Sequence, residues 1–238
     1  MRSMVLCLCV LFTGVFMPLF AQAQAVQAES RILAIGDSLM AWHMASGASI
    51  ADAAAEVLGE PVINKSVGGA KIIHALPITG ALGMKIASQF SNASKRFGPQ
   101  DWVIMNGGGN DLFLGCGCNA CDRRMARMIN PEGAAGEIPR LVSQIRQTGA
   151  RVVYIGYLRS PGVDSLIDAC LPMGNELEAR LALMAKRDSG VHFLSLDGFT
   201  ASGDRSMHGA DMIHPSRKAS KIIGENIARL IQKADKTR

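Results

Sequence analysis

The chain reads as an α/β protein with five parallel strands and helices on both faces of the sheet. Two observations carry this. Strand-like and helix-like segments alternate from about residue 31 to the end, which is the signature of a parallel sheet covered on both sides. The runs Ile32-Leu33-Ala34-Ile35 and Val152-Val153-Tyr154-Ile155 are continuously apolar, as strands buried on both faces are. Ligands of such sheets bind beyond the carboxyl ends of the strands, so the loops at that end are where chemistry is expected.

The first residues stand apart. Arg2 is the only charge before Glu29, Val5 to Phe20 is an apolar run, and Ala21-Gln22-Ala23-Gln24-Ala25 places small residues where a signal peptidase needs them. Residues 1–25 are expected to be a signal peptide, cleaved after Ala23 or Ala25. An uncleaved anchor is the alternative, disfavoured by Gly14 and Pro18 within the run. Residues 26–238 are then a single domain of a periplasmic or secreted protein. No later stretch is long and apolar enough to span a bilayer, so no stable membrane insertion is expected after cleavage.

The elements follow in order. Arg31–Ile35 is a strand, ended by Gly36. Ser46–Leu58 has apolar residues at helical spacing and stops at Gly59. Pro61–Val67 is a second strand, broken by Gly68-Gly69. Gly80–Phe97 reads as a helix closed by Gly98-Pro99. Asp101–Met105 is a third strand, followed by Asn106-Gly107-Gly108-Gly109. Gly136–Gln147 is a helix that stops at Gly149. Arg151–Ile155 is a fourth strand. Asn175–Lys186 is a helix with Asn175 as its N-cap. Val191–Leu196 is a fifth strand, and Pro215 opens a last helix to about Ala234. The connections Leu112–Gly133 and Leu158–Gly174 are long, and read as insertions at the functional end.

Composition narrows the function. Lys and Arg number 25 against 20 Asp and Glu; this mild, scattered excess and 5% aromatics give no support to nucleic-acid binding. Cys7 and Cys9 fall in the leader. Cys116, Cys118, Cys121 and Cys170 remain, an even number that in an exported chain implies two disulfides. Three pairings are possible, and one reaching Cys170 would staple two loops at the same end of the sheet. Zinc is the rival reading of Cys118-Asn119-Ala120-Cys121, but no second such pair or His pair stands nearby.

Three strings carry chemistry. Ser38, in Gly36-Asp37-Ser38-Leu39, lies just past a buried strand, where a glycine turn lifts its hydroxyl above the sheet edge. A serine there is often only a helix cap; as a nucleophile it needs a base. His214 is the candidate base. Asp211, three residues earlier, can hold one ring nitrogen and aim the other outward, although such a pair is also a common local hydrogen bond. Asn110, after three glycines, can donate its amide to an oxyanion, and Gly68-Gly69 can present a backbone N–H to the same point. No Gly-Lys-Ser/Thr follows Gly107–Gly109 and no Gly-x-Gly-x-x-Gly follows the first strand, so phosphate-loop and dinucleotide readings fail. Met40 stands where the second glycine of an α/β-hydrolase elbow would be.

On these strings the chain resembles the SGNH/GDSL hydrolases, a family of esterases and lipases. The resemblance spans nearly all of residues 26–238, with four motifs in the family's order. It implies a flavodoxin-like, three-layer α/β/α fold. It also implies a Ser38–His214–Asp211 triad, an oxyanion hole from the Ser38 and Gly69 backbone N–H groups and the Asn110 amide, and no metal or cofactor. Gly68 is a one-residue alternative to Gly69. The expected substrate is a small-molecule, lipid or glycan ester: a carboxylic ester in general, with a carbohydrate O-acetyl group, a lysophospholipid or a thioester as alternatives. A non-catalytic envelope protein binding a glycan or partner on the same scaffold is the reading from another class. His43, His74, His192 and His208 read as structural. Met40, Met44 and Met84 could wall an apolar pocket, the Leu76-Pro77-Ile78 stretch leans the same way, and Arg123, Arg124 and Arg127 read as a solvated face.

Overall fold

The structure, a computed structural model, describes residues 30–99 and 101–238. The proposed signal peptide lies outside them. Five strands, β1 (Ile32–Ile35), β2 (Val62–Asn64), β3 (Trp102–Met105), β4 (Arg151–Ile155) and β5 (Val191–Leu194), form one sheet in the order β2-β1-β3-β4-β5. Every neighbouring pair is parallel. The helices are α1 (Ser38–Ala41), α2 (Ile50–Leu58), α3 (Pro77–Thr79), α4 (Ile86–Ser91), α5 (Gly109–Cys116), α6 (Asp122–Met128), α7 (Glu137–Gln147), α8 (Leu171–Ala185) and α9 (Arg217–Ala234).

Side chains alternate across a strand, and here both faces are buried. Leu33, Ile35, Val103, Met105, Val152 and Tyr154 point to one side, against α4 to α8. Ile32, Ala34, Ile104, Val153 and Ile155 point to the other, against α1, α2 and α9. This is the three-layer, flavodoxin-like arrangement expected. The chain leaves β1 for opposite neighbours, β2 on one side and β3 on the other. That makes the crevice between the ends of β1 and β3 the topological switch point, where such sheets bind ligands.

Several elements differ from expectation. Gly80–Phe97 is not one helix. A π-type turn over Gly80–Met84 breaks at Gly83, with φ 102°, and α4 starts only at Ile86. The glycine is needed there because a Cβ would stand 2.8 Å from the Val67 side chain. Asn175 is not an N-cap. The helix begins four residues earlier at Leu171, because Pro172 suits a first turn and a short 3-10 turn, Asp168–Cys170, leads into it; the Asn175 side-chain oxygen accepts from Arg159 Nε instead. Pro215 precedes α9 rather than opening it, and Ser216 caps the helix by accepting from the Ala219 N–H. Ser46–Leu58 is α2 behind a separate 3-10 turn, with a reciprocal Ser49–Asp52 capping box. The stretch Leu112–Gly133 is largely helical, carrying the body of α5 and all of α6. The second and fifth strands are shorter than expected.

Cys116 is bonded to Cys121, and Cys118 to Cys170. Cys118 and Cys121 therefore face different partners rather than a common zinc. The second bridge joins the end of α5 to the start of α8 across 52 residues, a constraint worth roughly 4 kcal/mol in a chain-entropy account. Among the described residues, no helix is long and apolar enough to cross a membrane.

Candidate active site

Ser38 is the first residue of α1, set on a turn that buried groups hold. Gly36 adopts φ 154°, and a Cβ there would overlap the Asn106 side chain at 1.8 Å, so only glycine fits. The Gln89 carboxamide accepts from the Gly36 N–H and donates to the Gly36 carbonyl, at 2.7 and 2.9 Å. Asp37 caps α1 through the Leu39 N–H at 3.0 Å. Asn106, from the end of β3, donates its amide to Asp37 and accepts from the Asp37 N–H, at 2.6 and 3.1 Å. Burial raises the Asp37 pKa, while bonds from Tyr157, Asn106 and Leu39 pull the other way.

Tyr157 links this turn to the next element. Its hydroxyl donates to Asp37 at 2.5 Å and accepts from the Gly109 N–H at 3.0 Å. Burial first, then the charge of Asp37, pushes the Tyr157 pKa well above the usual range, so the phenol keeps the proton it donates. Gly109 opens α5, and Asn110 follows it. The Asn110 amide donates to the Ala70 carbonyl at 3.1 Å. Asp111, fully buried, accepts from the Ile72 and Ile73 N–H groups, both at 2.8 Å. Two successive residues of α5 thus bind the loop that follows β2, and this holds Gly69, with φ 76°, near Asn110. Burial raises the Asp111 pKa to about 6, against the pull of Ile73, Ile72 and Arg124.

His214 arrives from the connection after β5. Its Nδ1 donates to Asp211 Oδ2 at 2.6 Å. The other Asp211 oxygen accepts from the Ile213 and His214 N–H groups, at 3.1 and 3.0 Å. Partial burial opposes ionisation of Asp211, but these bonds outweigh it and hold its pKa below the ordinary value. An ionised carboxylate can only accept, so Nδ1 is the ring nitrogen that donates, and in the neutral ring Nε2 is the one left to take a proton. Met212, between the two residues, takes the left-handed φ of 55°, a strained value for a side-chain-bearing residue. Trp42 stacks on the His214 ring, centroids 3.8 Å apart and planes within 6°. His43 Nε2 donates to the Pro215 carbonyl at 3.1 Å. The turn after α1 therefore clamps the strand of chain that carries His214.

Ser38, Asn110 and His214 line one cavity of about 120 Å³. Gly69 is not among its lining residues, though it lies beside Asn110's partner Ala70. The methionines do not wall it: Met40 is buried in the core against α2 and α9, Met44 is exposed, and Met84 sits against Gly69. Leu76, just before α3, and Ile78, within it, are exposed. His74 bonds Thr79, His208 is buried with neither ring nitrogen hydrogen-bonded, and His192 lies in β5 against Trp102; none of the three lines the cavity. Arg123 and Arg127 are exposed, while Arg124 reaches towards Asp111 at 3.8 Å. Among the described residues, no three His, Cys, Asp or Glu side chains gather as a metal ion would need.

Sequence reasoning missed Asp37, Asn106, Tyr157 and Trp42 as site residues. A faint signal existed for Tyr157, one of two tyrosines in the chain, placed two residues beyond a buried strand. Trp42 gave none, because its partner is 172 residues away.

With that geometry in hand, the family model described as the GDSL-like Lipase/Acylhydrolase family matches residues 34–222. The chain belongs to this family. The match runs from β1 into α9 and includes all five candidate site residues. No curated protein matches the chain. Among solved structures, a carbohydrate acetylesterase from Sinorhizobium meliloti is similar at 19% identity and a TM-score of 0.61, over 87% of this chain and 100% of that one. A protein described as lipolytic and of the G-D-S-L family, from Desulfitobacterium hafniense, is 16% identical with a TM-score of 0.57, over 85% and 99%. One described as an SGNH hydrolase, from Slackia heliotrinireducens, is 21% identical with a TM-score of 0.59, over 84% and 97%. At these identities the structures speak for the family's fold alone.

Proposed function

We propose that the protein is an exported serine esterase that hydrolyses carboxylic esters. One observation carries this reading most strongly. Three residues from three different connections, Ser38 after β1, Asn110 after β3 and His214 after β5, line a single cavity, and Asp211 holds the imidazole in the tautomer a base requires.

The chemistry follows from the groups. His214 Nε2 takes the hydroxyl proton as Ser38 Oγ bonds to the ester carbonyl carbon. The carbonyl oxygen becomes an oxyanion, stabilised by the Asn110 amide and the Ser38 backbone N–H, both at the cavity; Gly69, next to Ala70 but outside the lining, is the third donor the family pattern implies. The tetrahedral intermediate collapses, the C–O bond to the alcohol breaks, and His214 returns its proton to that oxygen. Water then gives a proton to His214 as its oxygen bonds to the acyl carbon; the bond from that carbon to Ser38 Oγ breaks, His214 returns the proton to Oγ, and the acid leaves. Asp211 steadies the imidazolium in both halves. The two disulfides support export, since such bonds persist in oxidising compartments.

A panel of p-nitrophenyl esters and acetylated sugars, with Ser38→Ala as control, tests the reading. Turnover is expected for wild type, and loss of nearly all of it in a Ser38→Ala protein that melts normally. Undiminished turnover in the variant would remove Ser38 from the mechanism. Faster release of acetate from sugars than from simple esters would favour the O-deacetylase alternative.

A further inference from the structure

Between β2 and α4 the chain leaves the carboxyl end of the sheet on an excursion with an unusual surface. Lys71 and Lys85 close it, side by side in a parallel β-bridge. The Lys71 N–H donates to the Met84 carbonyl at 2.9 Å, and the Ile86 N–H to the Lys71 carbonyl at 3.0 Å. Between the two lysines the exposed residues are Ala75, Leu76, Pro77, Ile78, Ala81 and Leu82, and all are apolar. Ile78 and Leu82, 81% and 75% exposed, are the most exposed large apolar side chains among the described residues. They stand four apart in a helical stretch, so they share one face. Local bonds hold this tip in shape. The Gly80 N–H donates to the Leu76 carbonyl at 2.8 Å, and His74 bonds Thr79 at 2.7 Å. Gln89 donates to the Gly83 carbonyl at 2.8 Å with the same amide that holds Gly36, which ties the tip to the turn of Ser38.

The charge around the tip has one sign. From Pro61 to Phe90 the chain carries Lys65, Lys71 and Lys85 and no Asp or Glu. Among the described residues, none of these lysines is ion-paired. Lys71 feels the Asp111 carboxylate, but that group is fully buried and already bonded to the Ile72 and Ile73 N–H groups. Like charges set side by side repel, and an anionic surface relieves that repulsion. Size decides between occupants. A stable protein interface takes about 20–30 residues a side, and six do not make one. Exposed apolar side chains bordered by lysines suit the interface of an anionic bilayer, where the apolar groups meet acyl chains and the ammonium groups meet headgroups.

We propose that residues 71–85 form a docking surface by which the protein rests on an anionic lipid bilayer, with Leu76, Ile78 and Leu82 entering the headgroup layer and Lys71 and Lys85 meeting lipid phosphates. The contact is peripheral and reversible, not a membrane span. It turns the end of the sheet that carries Ser38 towards the lipid, and it does not depend on the esterase reading.

A label at the tip tests this. Leu82→Cys protein carrying an environment-sensitive fluorophore is titrated with vesicles of phosphatidylglycerol and phosphatidylethanolamine. Emission should rise and shift to the blue, while the same label at Val57→Cys, near the end of α2 and the amino ends of the strands, should not respond. In the Leu82-labelled protein, Ile78→Ser should weaken vesicle affinity by about ten-fold and Lys85→Gln by about five-fold, both with an unchanged melting temperature. Added salt should weaken it further. No response at the tip, an equal response to phosphatidylcholine vesicles, or an affinity that Ile78→Ser leaves unmoved overturns the proposal. So does a response that follows protein concentration without vesicles, which would make a second copy of the chain the occupant. Vesicle binding needs no turnover, so failure here leaves the esterase reading standing, and an inactive protein that docks leaves this one standing.

Discussion

The two halves of the site are built on opposite principles. The half that carries Ser38 and Asn110 is buried: Asp37 is 1% exposed and Asn106 fully enclosed, and together with Tyr157 and Gln89 they fix the turn of Ser38 and the start of α5. The half that carries Asp211 and His214 is nearer the surface, with the Asp211 side chain 36% and that of His214 20% exposed, and it is held by local bonds, the stacked Trp42 ring and two bonds from elsewhere in the chain, His43 to the Pro215 carbonyl and Ser165 to the Met212 carbonyl. The first half is coupled to the fold, since the groups that aim Ser38 and Asn110 also seal the ends of β1, β3 and β4. The second half is mounted on the fold and can be altered without disturbing it. The contrast teaches that activity and stability should separate on one side of the cavity and move together on the other.

The sharpest way to break this comparison is at the surface half. Asp211→Asn should lower kcat by about 10⁴-fold, by analogy with the loss of a triad carboxylate, with a melting temperature close to wild type. A large drop in melting temperature would mean that the exposed half also supports the fold. Asn110→Ala should cost about 10²–10³ in kcat; a change in KM alone would make it a substrate-binding residue.

Tyr157→Phe probes the buried half. It leaves the Asp37 carboxylate and the Gly109 N–H without their shared partner, so stability should fall by about 1–3 kcal/mol, visible in urea unfolding, and kcat should fall with it. A variant as stable as wild type but slower would uncouple the two. The smallest effect concerns pH. The Asp111 pKa is about 6 in the folded protein against 3.8 for the free side chain. Between those values the folded state holds a proton that the unfolded chain has released. Its contribution therefore makes stability fall as pH rises through that window. Asp111→Asn should flatten that slope in unfolding measured across the window; an unchanged slope would assign it elsewhere, for instance to Asp37, which is shifted in the same direction.

Much of this was legible in the sequence, for physical reasons. Buried parallel strands announce themselves as unbroken apolar runs, and β1, β3 and β4 stood within a residue of where those runs lie. Ser38, Asn110, Asp211 and His214 could be read because each sits in a short string with a local role. Contacts made across the fold could not be read. Tyr157 bonds Asp37 over 120 residues, and Trp42 meets His214 across the domain. Nothing in the residues around Gly83 marks the break in Gly80–Phe97; its φ of 102° and the nearby Val67 do. Asn175 has a capping side chain, but the helix already runs from Leu171 with Pro172 in its first turn.

The central claim is that Ser38 is made nucleophilic by His214. Incubation with an organophosphonate ester followed by peptide mass spectrometry tests it directly. The account predicts a single covalent adduct on Ser38, formed quickly by wild type and barely at all by His214→Ala. An adduct on another residue, or labelling of Ser38 at the same rate without the imidazole, would contradict it.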